Sequence, residues 1–283
     1  MARRRRVTWL DVFTDRPLTG NGLAVVHDAD DLDAPTMLAA AREARQSETT
    51  FVQAPSAAGP DYRNRIFTTL GELPFAGHPS LGTAVAVARE RGATSARYVQ
   101  ETPAGRQPVE VELAGDLARA SMLQEPAVFG PQLDAAEVLA AAGLDAAHAH
   151  PAWAPQVVST GVPHVVAPVA ALGDPAPRRP ALAALLAPHG AVCLFLAQVD
   201  PERGTAAARS FFLDPAGVLE DPATGSAAGP LLALLHARAR ALELVVEQGV
   251  AMGRPSRLEA SVEGDRVRVG GDVVVLADAR ARF

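Results

Sequence analysis

A chain of 283 residues, 48% hydrophobic and 20% charged, has the composition of an ordinary globular protein and length for one large domain or two modest ones. Its net charge of −6 argues against nucleic acid or an anionic membrane as a partner, and its apolar runs, such as Ala191–Val199, fall short of the roughly 18 to 20 residues that span a bilayer. The lone cysteine, Cys193, can form neither an internal disulfide nor a multi-thiolate metal site, which points to a reducing cytoplasm.

In chain order, Arg3–Arg6 is a short basic run that nothing downstream extends, and it reads as a solvated tail. Val7–Phe13 alternates as a strand; it contains Asp11 and is too short for a secretory apolar segment. Further strands are expected at Leu23–Val26, Thr49–Gln53, Tyr62–Thr68 and Val109–Leu113, with helices at Ala34–Arg45, Pro79–Arg91 and Ala135–Ala142. Beyond these come a strand at Val165–Pro168, a surface loop at Gly173–Pro180 and a helix at Pro180–Ala187. Cys193 sits in an apolar run as a small buried hydrophobe on a strand. A helix at Pro222–Arg240 and strands at Val262–Val269 and Val273–Ala277 complete the chain. Strands in adjacent pairs and triplets with few helices between them indicate an α+β protein with mostly antiparallel sheets.

A weak internal repeat divides the chain. Arg65-Ile-Phe-Thr is followed by Gly77-His78-Pro79-Ser80-Leu81-Gly82-Thr83-Ala84, and Arg209-Ser-Phe-Phe by Glu220-Asp221-Pro222-Ala223-Thr224-Gly225-Ser226-Ala227. On this pairing His78-Pro79 corresponds to Asp221-Pro222, about half a chain apart. A duplicated architecture follows, with residues 1–124 in one half and 125–283 in the other. Proline is tolerated in the first position of a helix, and Asp is a strong N-cap. Both dipeptides therefore read as helix starts. The small residues after them (Ser80, Gly82 and Thr83; Ala223, Thr224, Gly225 and Ser226) leave first-turn N–H groups open to a carboxylate or phosphate. The helices that follow are apolar nearly all round, as expected at the centre of a sheet.

Single residues admit more than one role. Glu48 is either a surface residue at a strand edge or an inward carboxyl suited to acid/base work. His78 is an N-cap, a satisfied core histidine or a catalytic group. Asp221 is adequate as an N-cap, and Ser226 and Thr83 as small residues in close packing. Asn21, in Thr19-Gly20-Asn21-Gly22, is a turn signal. His164, in the turn Gly161-Val162-Pro163-His164, faces either a ligand or solvent. The seven His show no metal-ligand spacing, and phosphate-loop, dinucleotide and Gly-x-Ser-x-Gly fingerprints are missing, so no metal or cofactor is expected.

Together the motifs resemble the phenazine-biosynthesis isomerase family. The matching stretches are Val12-Phe-Thr with Gly20-Asn21, Ser47-Glu48-Thr-Thr-Phe, Arg65-Ile-Phe-Thr, Glu72-Leu-Pro-Phe-Ala-Gly-His78-Pro, Ser159-Thr-Gly-Val-Pro-His164, Gly217-Val-Leu-Glu-Asp221-Pro-Ala-Thr-Gly-Ser226-Ala and Gln248-Gly with Met252-Gly-Arg-Pro-Ser256. Gly22 departs from the proline common in that family after Gly-Asn.

The resemblance implies a fold like that of diaminopimelate epimerase: two pseudo-duplicated domains, each a barrel-like sheet wrapped round a central helix, with the active site in the cleft between them. Those epimerases use a cysteine pair at the two helix starts, which this chain lacks. The resemblance instead gives the acid/base role to Glu48, with His78 and Asp221 as catalytic partners. Asn21, Gly77, Ser80, Gly82, Gly225 and Ser226 would bind a small carboxylate-bearing substrate. The implied reaction is a cofactor-free proton shift of the kind that turns dihydro-hydroxyanthranilate into a ketone, carried out by a homodimer. An epimerase or tautomerase acting on an amino acid or cyclic enamine, or a non-catalytic carboxylate-binding protein, are the alternatives.

Overall fold

A computed structural model describes residues 3–283. The chain runs through β1 (Arg4–Val12), β2 (Asn21–Val26), α1 (Ala34–Ala44), β3 (Glu48–Gln53), β4 (Tyr62–Phe67), β5 (Glu72–Leu73), α2 (Gly77–Glu90), β6 (Ser95–Thr102), β7 (Gly105–Ala114) and β8 (Leu117–Leu123). It continues with β9 (Val128–Gln132), α3 (Ala135–Ala142), β10 (Gln156–Ser159), β11 (Pro163–Val169), α4 (Arg179–Leu186), β12 (Cys193–Asp200), β13 (Thr205–Asp214), β14 (Gly217–Asp221), α5 (Gly225–Ala239), β15 (Glu243–Gln248), β16 (Ser256–Glu263) and β17 (Arg266–Arg282). No helix of the described residues is long and apolar enough to cross a membrane.

These elements form two compact units, one holding the chain up to Met122 together with Gly270–Phe283, the other Leu123–Val269. Division of the chain at residue 124 is thus corrected at its far end. β1 needs a partner along its whole length and takes it from β17, in antiparallel register from Arg4↔Arg282 to Val12↔Val273. The expected strand Val262–Val269 is also split: Gly264, at φ +64°, turns the chain between β16 and β17.

In the first unit β1, β2, β3, β4, β6, β7, β8 and β17 pair in a ring, a closed 8-strand barrel. The two parallel pairs, β2–β3 and β4–β6, are those bridged by α1 and α2, since parallel neighbours need a crossover. α2 is buried at every residue from His78 to Ala88 and touches β1, β2, β3, β4, β6 and β7. It therefore runs through the barrel, as its lack of a polar face requires. α1 lies outside, capped by Asp33 and packed through Met37, Ala40 and Ala41 against Val26, Phe51 and Phe67.

The second unit repeats this plan. β9, β10, β11, β12, β13, β15 and β16 pair in that order, with β11–β12 and β13–β15 parallel. α5 is buried from Ala227 to Leu235 and touches β10, β11, β15 and β16. α3 and α4 pack on the sheet through Val138, Leu139, Leu182 and Leu186.

The structural register of the repeat differs from the one read in the sequence. Arg65 forks onto Glu72 at 2.8 and 2.7 Å and lies 5.3 Å over Phe67; Arg209 forks onto Glu220 at 2.9 and 2.8 Å and lies 5.3 Å over Phe211. Opposite Glu72 stands Phe67, and opposite Glu220 stands Phe211. The same step beyond each glutamate, a helix opens at Gly77 or Gly225. His78 therefore corresponds to Ser226, and Pro222 to Pro74 in the loop before the helix. The expected pairing of His78-Pro79 with Asp221-Pro222 is overturned, because proline suits both a preceding loop and a first turn.

Gly82 shows how tightly α2 is held: a Cβ there would sit 2.5 Å from Leu23 Cδ2 and 3.0 Å from Val12 Cγ2. Gly82→Ala should destabilise the fold by about 1–3 kcal/mol through overpacking, seen as a lower urea midpoint at an unchanged slope.

Candidate active site

Glu48 opens β3 directly beside Leu23 of β2, and the next two residues, Thr49 and Thr50, are fully buried. The carboxyl therefore stands at the entrance of the barrel and not on its outer edge. His78, second residue of α2, meets it there, with Nε2 3.3 Å from Glu48 Oε2 and side-chain exposures of 7% and 17%. Among Glu48's two readings, the inward one fits this placement. The distance suits an ion pair, but the groups are not aligned as a hydrogen bond.

The protonation of His78 follows from its surroundings. Burial pushes its pKa down to about 3, and a hydrogen bond with the Gly22 backbone only partly opposes this. A bond that favours the charged ring is one the ring donates, so the acceptor is the Gly22 carbonyl. A neutral imidazole has a single N–H. Spent on Gly22, it leaves the nitrogen facing Glu48 as an acceptor.

The helix start is open. Ala76 precedes α2 in extended conformation without a side-chain cap, and Ser80 N donates to Ala76 O at 3.3 Å. The N–H groups of Gly77 and His78 head the first turn, where an anion is favoured. Two of the expected ligand residues make scaffold contacts. Ser80 Oγ donates to Ala76 O at 2.7 Å, and Gly82 lies past the first turn, packed on Leu23 and Val12. Thr83 Oγ1 bonds Thr50 Oγ1 at 2.7 Å, fastening α2 to β3. Asn21 is no exposed turn residue: it is fully buried and accepts from Ser47 Oγ at 2.7 Å, holding the residue that precedes Glu48.

In the second unit Asp221 ends β14 and is not the N-cap of α5, which begins at Gly225 after Thr224. Asp221 Oδ2 accepts from Thr224 Oγ1 at 2.6 Å. The fully buried Gln248 secures this loop, donating to Asp221 O at 2.7 Å and to Thr224 Oγ1 at 2.9 Å, and accepting from Thr224 N at 3.1 Å. Ala227 N and Ala228 N both donate to Thr224 O. Gly225 and Ser226 thus head the first turn of α5 as Gly77 and His78 head that of α2. Gln124 spans from the strand side to the helix, donating to Gly225 O at 2.9 Å and accepting from Thr160 Oγ1 at 2.5 Å.

The scaffold roles of Gln248 and Gln124 go unread in the sequence, although Gln248-Gly and Ser159-Thr-Gly stand among the quoted motifs. His164 faces neither ligand nor solvent: it is 1% exposed, with Nδ1 3.1 Å from Cys193 Sγ. Cys193 is buried as expected, yet it has a polar partner.

The phenazine biosynthesis-like protein family matches residues 10–279. A curated relative, trans-2,3-dihydro-3-hydroxyanthranilate isomerase of Pseudomonas aeruginosa, is 39% identical over 98% of this chain and 99% of its own. Among solved structures, a Pseudomonas aeruginosa protein titled a predicted epimerase is 39% identical, with TM-score 0.87 over 98% of this chain and 99% of its own. A Bacillus anthracis phenazine biosynthesis protein of the PhzF family has TM-score 0.85 at 26% identity, over 99% of each chain. With the motifs, the helix-filled barrel and these likenesses all spanning the chain, it belongs to the phenazine biosynthesis-like protein family and is an isomerase.

Proposed function

We propose that the chain isomerises a small carboxylate substrate of the dihydro-hydroxyanthranilate type, with Glu48 removing a proton from carbon and returning it elsewhere on the same molecule. The observation that carries this reading is the placement of His78 Nε2, an acceptor on a neutral ring, 3.3 Å from the Glu48 carboxyl. A carboxylate that has taken a proton keeps it, because the buried neutral ring beside it does not take it up. The proton stays on Glu48 between abstraction and return. Burial of the pair lets the proton move within a low-dielectric site, where fixed dipoles act most strongly.

The substrate carboxylate is assigned to helix-start N–H groups, those of Gly77 and His78 or of Gly225 and Ser226. Uncapped first turns of small residues support this. Asp221 enters as a hydrogen-bonding partner of the substrate by motif resemblance, and its firm seating on Thr224 and Gln248 suits a positioned group. A cytoplasmic location rests on the lone buried thiol of Cys193, and a homodimer on the resemblance alone.

The deciding experiment follows trans-2,3-dihydro-3-hydroxyanthranilate in heavy water by NMR. The protein should turn it over, and Glu48→Gln should lose about 10²- to 10⁴-fold in rate, the usual worth of a positioned base. Undiminished turnover by that variant would remove Glu48 from the role. If the wild type is inert on this substrate but exchanges deuterium into another carboxylated enamine or amino acid, the substrate assignment falls and the proton-transfer reading stands.

The neutral ring of His78 also sets a pH dependence of stability. Unfolded, the ring takes a proton near 6.5; folded, it refuses one until about 3. The unfolded chain therefore binds the extra proton, and stability falls as pH drops below about 6.5. His78→Gln should flatten the curve of unfolding free energy against pH by up to about 1.4 kcal/mol per pH unit between pH 6 and 4, measured by urea titration.

A further inference from the structure

Glu90 closes α2, at the end where the helix dipole disfavours an anion. Its carboxyl is nevertheless engaged from within the barrel. Glu90 Oε2 lies 2.9 Å from Nδ1 of His27, the fully buried residue that follows β2. The other ring nitrogen, Nε2, lies 2.9 Å from Thr8 Oγ1 on β1. Thr8 Oγ1 in turn lies 3.0 Å from Asp278 Oδ1, its cross-strand partner on β17. Four polar side chains in a row thus join the end of α2 to β1, β17 and the end of β2.

The two carboxyls fix the protons along this row. Burial works against ionisation of Asp278, but hydrogen bonds from Arg6 and Thr8 and the charges of Arg6 and Arg89 hold its carboxyl below the usual range. Arg6 Nε and Nη2 donate to Oδ1 at 3.1 and 2.9 Å, and Arg89 Nε stands 3.5 Å from Oδ2. A carboxylate only accepts, so the single hydroxyl proton of Thr8 goes to Asp278. Toward His27, Thr8 offers a lone pair, and Nε2 donates to it. Glu90, with 35% of its side chain open to water, is likewise a carboxylate and accepts from Nδ1. A neutral imidazole has one N–H and cannot serve both contacts. His27 therefore carries two, an imidazolium at the helix end where the dipole favours a cation.

The same pair sets the height of α2 against β2. Leu23 of β2 packs at Gly82 of α2, and His27 meets Glu90 further along both elements. From Leu23 to His27 the strand advances about 13 Å, and from Gly82 to Glu90 the helix advances about 12 Å. The spans match, so strand and helix are pinned at two points. An apolar contact such as Leu23–Gly82 resists sliding weakly, whereas a charge-assisted hydrogen bond has a direction and a short length. Leu23 is also the residue beside Glu48 on β3, and His78 lies one turn before Gly82. Sliding of α2 along β2 would therefore carry His78 past Glu48.

We propose that His27 and Glu90 are positioning residues: their buried ion pair fixes the axial register of α2 and thereby the placement of His78 beside Glu48 at the opposite end of the helix. This rests on the reading of Glu48 and His78 as the pair that works on the substrate.

Glu90→Gln, Glu90→Ala and His27→Leu are compared with the wild type. Leu182→Ala, a cavity in the core of the second unit, is the control for stability lost elsewhere. Ring 15N and 1H resonances of His27 and His78, urea midpoints, and turnover of trans-2,3-dihydro-3-hydroxyanthranilate are measured at neutral pH and a temperature where all five proteins are folded.

In the wild type both ring nitrogens of His27 should carry protons. Glu90→Ala and His27→Leu should shift the His78 resonances and lower kcat by roughly ten- to a hundredfold, the range that misplacement by about 1 Å costs, with KM little changed. Glu90→Gln gives Nδ1 a donor in place of a carboxylate, so the ring turns neutral while each contact of the row is kept. It should bring kcat and the His78 resonances back toward the wild type. Leu182→Ala should lose stability and keep kcat. A singly protonated His27 in the wild type, or His78 resonances that Glu90→Ala leaves in place, overturns the proposal. His78 resonances that shift while kcat is equal in all five proteins leave the pin on α2 standing and remove Glu48 and His78 from the reaction, so the two readings fail separately.

Discussion

Burial of an apolar helix along its whole circumference is the constraint from which the site follows. α2 is enclosed from His78 to Ala88, and its neighbours leave no room for one more methyl at Gly82. A helix so placed can present no polar face to water, and the polar surface it retains is its end. The first-turn N–H groups, uncapped by any side chain at Ala76 or Thr224, are what this architecture leaves for chemistry. Small residues at those turns follow from the same enclosure, as does the seating of Glu48 where β3 meets the helix start.

Each unit keeps a buried histidine beside its central helix. In the first it is His78, on the helix itself; in the second it is His164 on β11, a strand packed against α5. His78 and Ser226 occupy corresponding places in the repeat. The chemical result is unequal. In the first unit the ring faces the carboxyl of Glu48, whereas in the second it meets Cys193 Sγ and a half-buried serine stands at the helix start.

Side-chain amides do much of the remaining fastening. Asn21, Gln124 and Gln248 each join a loop to a neighbouring element, and Gln248 alone satisfies three groups of the Asp221–Thr224 loop. An amide can donate and accept at once without bringing a charge into a dry interior.

What the amino-acid sequence determines by itself is whatever burial prints on neighbouring residues. Period-two strands, two helices apolar all round and small residues at their starts identify an α+β protein with paired central helices, and contiguous motifs carry the family resemblance. The tertiary structure alone decides the rest, since each remaining feature depends on a partner distant in the chain. The start of α5 at Gly225 is set by Gln248 holding the preceding loop, so Asp221-Pro222 imitates a cap without being one. The register that matches His78 with Ser226 is set by the forks Arg65–Glu72 and Arg209–Glu220. β17 returns to the first unit because β1 requires a hydrogen-bonded partner. Local sequence records which groups need partners, and only the packing of remote segments supplies them.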